Sequence, residues 1–181
     1  MNAFTVLGLP ETLVLSEEQL RDAFRAAGKA THPDAGGNEA NFALTREAHG
    51  ILTSPSRRLR HWLELRKIAV ESRGVIGAGL MDIFGMIGTI SQRAEVLIRK
   101  REEARSALSR AMLESETQVC REEVEAGIST LDDAIAERCE RFPEWDAQGS
   151  PDAGVCAEVV RDLAFLEKWK LGLRASYSRL V

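Results

Sequence analysis

A chain of 181 residues with 44% hydrophobic, 29% charged and only 6% aromatic side chains can bury a real core, and argues against a β-rich fold. Its three cysteines, Cys120, Cys139 and Cys156, form no CxxC pair, which argues against a disulfide framework and a four-cysteine zinc site and points to a reducing cytoplasm. A net charge of −4 with no block of basic residues sets nucleic acid aside as a partner.

The opening "MNAFTVLGLPETL" lacks the basic start and long apolar run of a secretory signal. Phe4, Leu7 and Leu9 suggest a short apolar element closed by Gly8 and Pro10. Ser16-x-x-Gln19 is a capping box that opens a helix carrying Leu20, Phe24, Ala27 and Thr31 at helical spacing. Pro33 stops that helix, Gly36-Gly37 permits a reversal, and Asn38 caps the next. That helix sets Phe42, Thr45, His49 and Leu52 on one side. Ser54-Pro55 then starts a fourth, basic helix with Leu59, Trp62, Leu63 and Arg66.

Beyond the glycine-containing joint "ESRGVIGAG" the pattern is helical almost to the end. Ala94, Leu97, Arg101, Ala104, Leu108 and Ala111 step by three and four, as do Val124, Ile128, Leu131, Ile135, Cys139 and Phe142. The Ser115-x-x-Gln118 capping box between them predicts a turn near Glu114. "FPEWDAQGSPDAG" reads as a loop. Cys156, Val159, Leu163, Leu166, Lys170, Leu173 and Tyr177 mark a last helix, so three long helices form an antiparallel bundle. The sequence is all-α, with residues 1–70 as a helical hairpin flanked by short helices, 71–79 as linker, and 80–181 as the bundle.

Little of this carries chemistry. "GVIGAGLMD" imitates a dinucleotide-binding turn, but Asp82 occupies the place of the third glycine and no βαβ pattern surrounds it. "VIGAGLMDIFGMIGTI" is too short to span a membrane comfortably, is interrupted by Asp82, and carries four glycines; a helix contacting other protein is the better reading. His49 and His61 sit among apolar helical residues as packing or boundary groups. No metal set, cofactor site or Ser/His/Asp or Cys/His arrangement emerges, and no enzyme is predicted.

The exception is the tip "THPDAGG". Arg21, Arg25 and Lys29 recur every four residues, so a basic helix face runs into the rigid polar turn His32-Pro33-Asp34. Such a surface suits an acidic protein patch, with Asp34 available to a cation on that partner.

With "FTVLGLP", the basic helix, the intact His32-Pro33-Asp34 and "REAHGILTSPSRRLRHWLEL", residues 4–66 resemble a J-domain, the module by which DnaJ-type co-chaperones activate a DnaK-type 70-kDa heat-shock ATPase. Phe24 and His49 stand where that family commonly shows tyrosine. The resemblance implies that His32, Pro33 and Asp34, with Arg21, Arg25 and Lys29, face the chaperone. A J-domain followed by a helical bundle, "VVRDLAFLEKW" and "RLRHWLEL" further resemble the HscB (Jac-type) family of iron–sulfur cluster assembly. That resemblance implies a DnaK- or HscA-type chaperone and an iron–sulfur scaffold protein or other client as partners. It also implies a client surface at Leu80, Met81, Phe84 and Phe165. Gly85 and Gly88 depart from it, standing where glutamates are expected, and two bundle helices are longer by roughly three turns each.

Overall fold

The computed structural model describes residues 1–31, 38–71, 74, 77–149 and 151–181. Among the described residues there are eight helices and no strand. Contacts divide the chain into two units: Met1–Gly74 with Cys139–Ala164, and Val75–Arg138 with Phe165–Val181.

In the first unit each short helix starts behind a local stop. Helix α1 (Ala3–Leu7) is capped by Asn2, whose side-chain oxygen accepts the N–H groups of Phe4 and Thr5, and ends at Gly8 in the left-handed region (φ 65°). Helix α2 (Glu17–Thr31) opens with the expected reciprocal box: the Gln19 N–H donates to Ser16 Oγ (3.1 Å) and the Ser16 N–H to Gln19 Oε1 (2.9 Å). Asn38 caps α3 (Glu39–Thr53) through the Ala40 N–H at 2.7 Å, and Ser54 caps α4 (Pro55–Leu65), where Pro55 occupies the first turn.

Helix α3 packs against α1, α2 and α4. Phe4, Leu20, Ala48, Leu52, Leu59, Trp62 and Leu63 are buried. His61 Nε2 accepts the Ala3 N–H (3.0 Å), which joins α4 to the start of α1 and fixes this histidine as a packing group with a polar contact.

The same unit contains α7 (Phe142–Gln148) and the first part of α8 (Ala153–Leu180). "FPEWDAQGSPDAG" is therefore not simply a loop. Pro143 suits a first helical turn, Phe142 and Trp145 are buried, and Gly149 at φ 70° closes α7 by donating its N–H to the Trp145 carbonyl (2.9 Å). Asp146 on α7 binds the segment ahead of α2. It accepts the Thr12 hydroxyl (2.5 Å) and the N–H groups of Leu13 (2.9 Å) and Val14 (3.2 Å). Arg161 on α8 donates to the Glu71 carbonyl (3.2 Å), and its guanidinium lies where a side chain at Gly74 would project.

The second unit is the expected three-helix bundle, built from α5 (Ala78–Glu103), α6 (Ala107–Cys139) as far as Arg138, and the later part of α8. Arg93 pairs with Glu123 (2.5 Å) and Lys100 with Glu116 (3.3 Å), so α6 runs antiparallel to α5. Lys170 with Asp132 and Tyr177 with Glu125 set α8 antiparallel to α6. Leu80, Ile87, Ala94, Leu97, Ile98, Cys120, Val124, Leu131, Leu166 and Leu173 form the core. Gly127 marks a close approach: a methyl group there would meet Leu173 Cδ1 at 3.0 Å and Ile90 Cδ1 at 3.1 Å.

The turn between α5 and α6 corrects the sequence reading. It lies at 104–106, not near Glu114, and α6 runs unbroken through Ser115 and Gln118. The working cap is Ser106, whose hydroxyl accepts the Ser109 N–H (3.0 Å) while Ser109 Oγ accepts the Ser106 N–H (3.2 Å). Thr117, Cys120 and Val124 are buried, so packing holds residues 115–118 in helix against the local capping signal. The break resets the register, and Leu108 and Ala111 face solvent instead of continuing the apolar stripe of α5.

Candidate functional site

Arg21, Arg25 and Lys29 all lie exposed along α2. Asp22 sits between the first two, 3.8 Å from Arg21 Nε and 3.6 Å from an Arg25 Nη, which partly neutralises that end of the stripe. The opposite side of the helix is anchored by buried Leu20 and by Phe24, whose ring stacks obliquely on His49 of α3 at 4.3 Å between centroids. Phe24 and His49, which replace the tyrosines of the resembled family, thus meet each other and join α2 to α3. At the end of α2, the Thr31 hydroxyl donates to the Ala27 carbonyl (2.9 Å) and lies 3.3 Å from that of Thr45. His32, Pro33 and Asp34 follow immediately in sequence and lie outside the described residues.

In the second unit the four proposed client residues separate by burial. Leu80 is 1% exposed and belongs to the core, so its side chain offers no surface. Met81 and Phe84 are 50% and 49% exposed. Phe165 is half-buried against the core. The structure adds Trp169, one turn after Phe165, as the residue that connects them: its ring lies 5.4 Å from that of Phe84 and 6.0 Å from that of Phe165. The spacing of Phe165 and Trp169 was visible in the sequence; their meeting with Phe84 required the bundle. A side chain at Gly85 or Gly88 would meet nothing within 4 Å, so no internal packing demands glycine there, and neither supplies a carboxylate.

Other candidates resolve into structure. Gly77 leads directly into α5 without a side-chain cap, and no strand precedes it among the described residues, which leaves the glycine-rich joint without the context of a nucleotide turn. Burial and nearby Asp152 push the Cys156 thiol up to about 11, and burial raises that of Cys120, so both are packing groups rather than nucleophiles. No cluster of His, Cys, Asp and Glu suited to a metal occurs among the described residues. Among the described residues, no helix is long and apolar enough to cross a membrane.

No family model matches the chain. A chaperone protein dnaJ of Oryza sativa is 38% identical over 55 residues, 30% of this chain and 13% of that relative. A tetratricopeptide-repeat and J-domain-containing co-chaperone of Cryptococcus neoformans is 38% identical over 58 residues, 32% of this chain and 11% of that relative. The chain thus spans about an eighth of the length of these curated relatives. Among solved structures, the chaperone HscB from Vibrio cholerae superposes with a TM-score of 0.58 at 20% identity, covering 100% of both chains.

The chain has the fold of HscB. Part of it is similar in sequence to J-domain chaperones, and the all-α J-domain-plus-bundle architecture agrees with both comparisons. In this HscB-like chain, the basic face of α2 precedes His32-Pro33-Asp34 in sequence, and exposed Met81 and Phe84, with partly buried Trp169 against Phe84, form an apolar patch on the bundle.

Proposed function

We propose that this protein is a co-chaperone that stimulates the ATPase of a DnaK- or HscA-type 70-kDa heat-shock chaperone and delivers a client to it. The observation that carries this reading is the exposed Arg21–Arg25–Lys29 face of α2, which runs directly into His32-Pro33-Asp34. The stripe docks electrostatically on an acidic patch of the chaperone, and the tripeptide transmits the signal for hydrolysis. ATP chemistry belongs to the partner; this chain needs no cofactor and works in the cytoplasm. Residues 1–70 carry the chaperone-facing function and 80–181 the client-facing one, joined through 71–79.

Met81 and Phe84 are the client anchors, supported by Phe165 and Trp169; methionine and aromatic side chains on a half-exposed patch suit such contact. An iron–sulfur scaffold protein is one client class. A client unrelated to iron–sulfur assembly is the second reading, favoured by Gly85 and Gly88, which leave the patch without the carboxylates expected for a scaffold.

The decisive experiment is steady-state ATPase stimulation of a DnaK-type chaperone. His32→Gln or Asp34→Asn is expected to abolish stimulation without lowering the melting temperature, and undiminished stimulation by either variant would refute the role of the tripeptide. Arg25→Glu is expected to weaken the interaction, as is added salt, because screening acts over about 8 Å at physiological ionic strength. Calorimetric titration of a cluster scaffold protein separates the two client readings: no measurable affinity leaves the general one.

A further inference from the structure

The end of α2, after which His32-Pro33-Asp34 follows in sequence, is intrinsically the weakest part of that helix. Leu20, its fully buried residue, lies in the first turn. The last turn is Gly28-Lys29-Ala30-Thr31, in which glycine and a β-branched residue are poor helix formers and the final carbonyls have no intrahelical partner. Contacts with α3 hold this half of the helix in place. Phe24 stacks on His49 at 4.3 Å, the edge of the Phe42 ring lies 4.0 Å from where a Cβ at Gly28 would be, and the Thr31 hydroxyl lies 3.3 Å from that of Thr45.

Thr45 is the anomaly among these residues. It is 1% exposed and shares the buried face of α3 with Ala48 and Leu52. A hydroxyl at such a position is unfavourable unless it is engaged, whereas valine would fill nearly the same shape with no polar atom. Its bond to the Asn41 carbonyl one turn back (2.9 Å) is one that threonine makes on any helix face, so it does not call for burial. What burial adds is Thr31, which makes the corresponding bond to the Ala27 carbonyl (2.9 Å). Two hydroxyl hydrogens therefore serve three contacts: the bond between the threonines displaces one back-bond, and that back-bond returns when the threonines part.

Given the co-chaperone function proposed above, on which this rests, we infer that Thr45 is a positioning residue for the chaperone signal. Its hydroxyl binds that of Thr31 and pins the last turn of α2 to α3, which fixes the point at which the helix ends ahead of the tripeptide. The pair acts after docking. Arg21 and Arg25 lie on turns held by Leu20 and Phe24, so the chaperone is engaged with or without the threonine bond. What the bond sets is the fraction of docked complexes in which the end of α2 stands in the productive place.

Titrating the full chain into a steady-state ATPase assay of a DnaK-type chaperone tests this, because it separates maximal stimulation from the half-saturating concentration. Thr45→Val is expected to lower maximal stimulation about threefold, the scale of one net hydrogen bond, with half-saturation within about twofold of the wild type. Thr45→Ser keeps the hydroxyl and is expected to retain stimulation, although the lost methyl group lowers its melting temperature. Thr45→Val should melt no lower than the wild type, so signal and stability rank the two variants in opposite orders. Thr31→Val removes the same bond from its half-buried side and should match the loss of Thr45→Val, and the two together should lose no more than either alone. Undiminished stimulation by Thr45→Val overturns the inference. So does a loss that follows melting temperature rather than the hydroxyl, a raised half-saturating concentration, or losses that add in the double variant. Absence of stimulation by the wild type is a different outcome, which refutes the co-chaperone reading itself and this inference with it.

Discussion

The N-terminal helices α1–α4 and the long helices of the bundle reach the same secondary structure by different means. Asn2, Ser16, Asn38 and Ser54 each satisfy free N–H groups at the start of a short helix, and the longest of those helices has 15 residues. Helix α5, with 26 residues, starts at Gly77 without any side-chain cap, and α6, with 33, carries its packing through a capping signal at Ser115 without breaking. Starting a helix is the costly step and each added residue is cheap, so short helices depend on their ends while long ones depend on their faces. The comparison teaches where each part is vulnerable.

Core truncation gives the largest expected effects and hits both regions alike. Trp62→Ala, at a fully buried position of α4, is expected to cost about 3–5 kcal/mol, and Leu131→Ala, fully buried in α6, about 2–5 kcal/mol. Chemical denaturation monitored by circular dichroism reads both; a loss below about 1 kcal/mol at either would mean that the residue is not core.

Overpacking sharpens the contrast on the bundle side. Gly127→Val forces two methyl groups into a space where Leu173 and Ile90 already lie at 3.0 and 3.1 Å from an added Cβ, and should cost about 1–3 kcal/mol despite the better helix propensity of valine. The same change at exposed Gly172, with nothing within 4 Å, should cost nothing or stabilise slightly. Equal melting temperatures for the two variants would count against the close approach at Gly127.

Capping substitutions break the comparison most directly. Ser16→Ala and Ser106→Ala each remove a cap and are expected to cost about 1 kcal/mol, whereas Ser115→Ala should be neutral or stabilising, because it exchanges a serine for alanine inside a continuous helix. A cost at Ser115 equal to that at Ser106 would place the turn where the sequence suggested. Phe84→Ala is expected to act on binding more than on stability. Its half-exposed ring touches Trp169, and its loss should cost about 1 kcal/mol or less of stability while weakening client binding by at least about fivefold, measured by calorimetry.

Much of α1–α4 was legible because its signals are local. Ser16 with Gln19, Asn38, and Ser54 with Pro55 all act within four residues, and the structure uses each of them. Two local signals are harder to read in the sequence. Ser106 and Ser109 cap each other with a hydroxyl where a glutamate or glutamine is the familiar partner of a capping box. Helix α7 was hidden by the turn-rich composition of its surroundings, although Pro143 near its start and Gly149 at its end are regular boundary residues.

The amino-acid sequence by itself determined the all-helical class, the caps of the N-terminal helices, the order of basic face and His32-Pro33-Asp34, and the existence of a bundle. Only the tertiary structure decided that neighbouring Leu80 and Met81 part ways, one at 1% and the other at 50% exposure, and that Trp169 joins Phe84 to Phe165. It also decided that Asp146 gathers the segment before α2 across more than a hundred residues of chain, and that Leu108 loses its place in the apolar stripe. The reason is range: a cap is satisfied by atoms within one helical turn, whereas burial depends on which distant helix covers a face, and identical apolar spacing is compatible with either side of that cover.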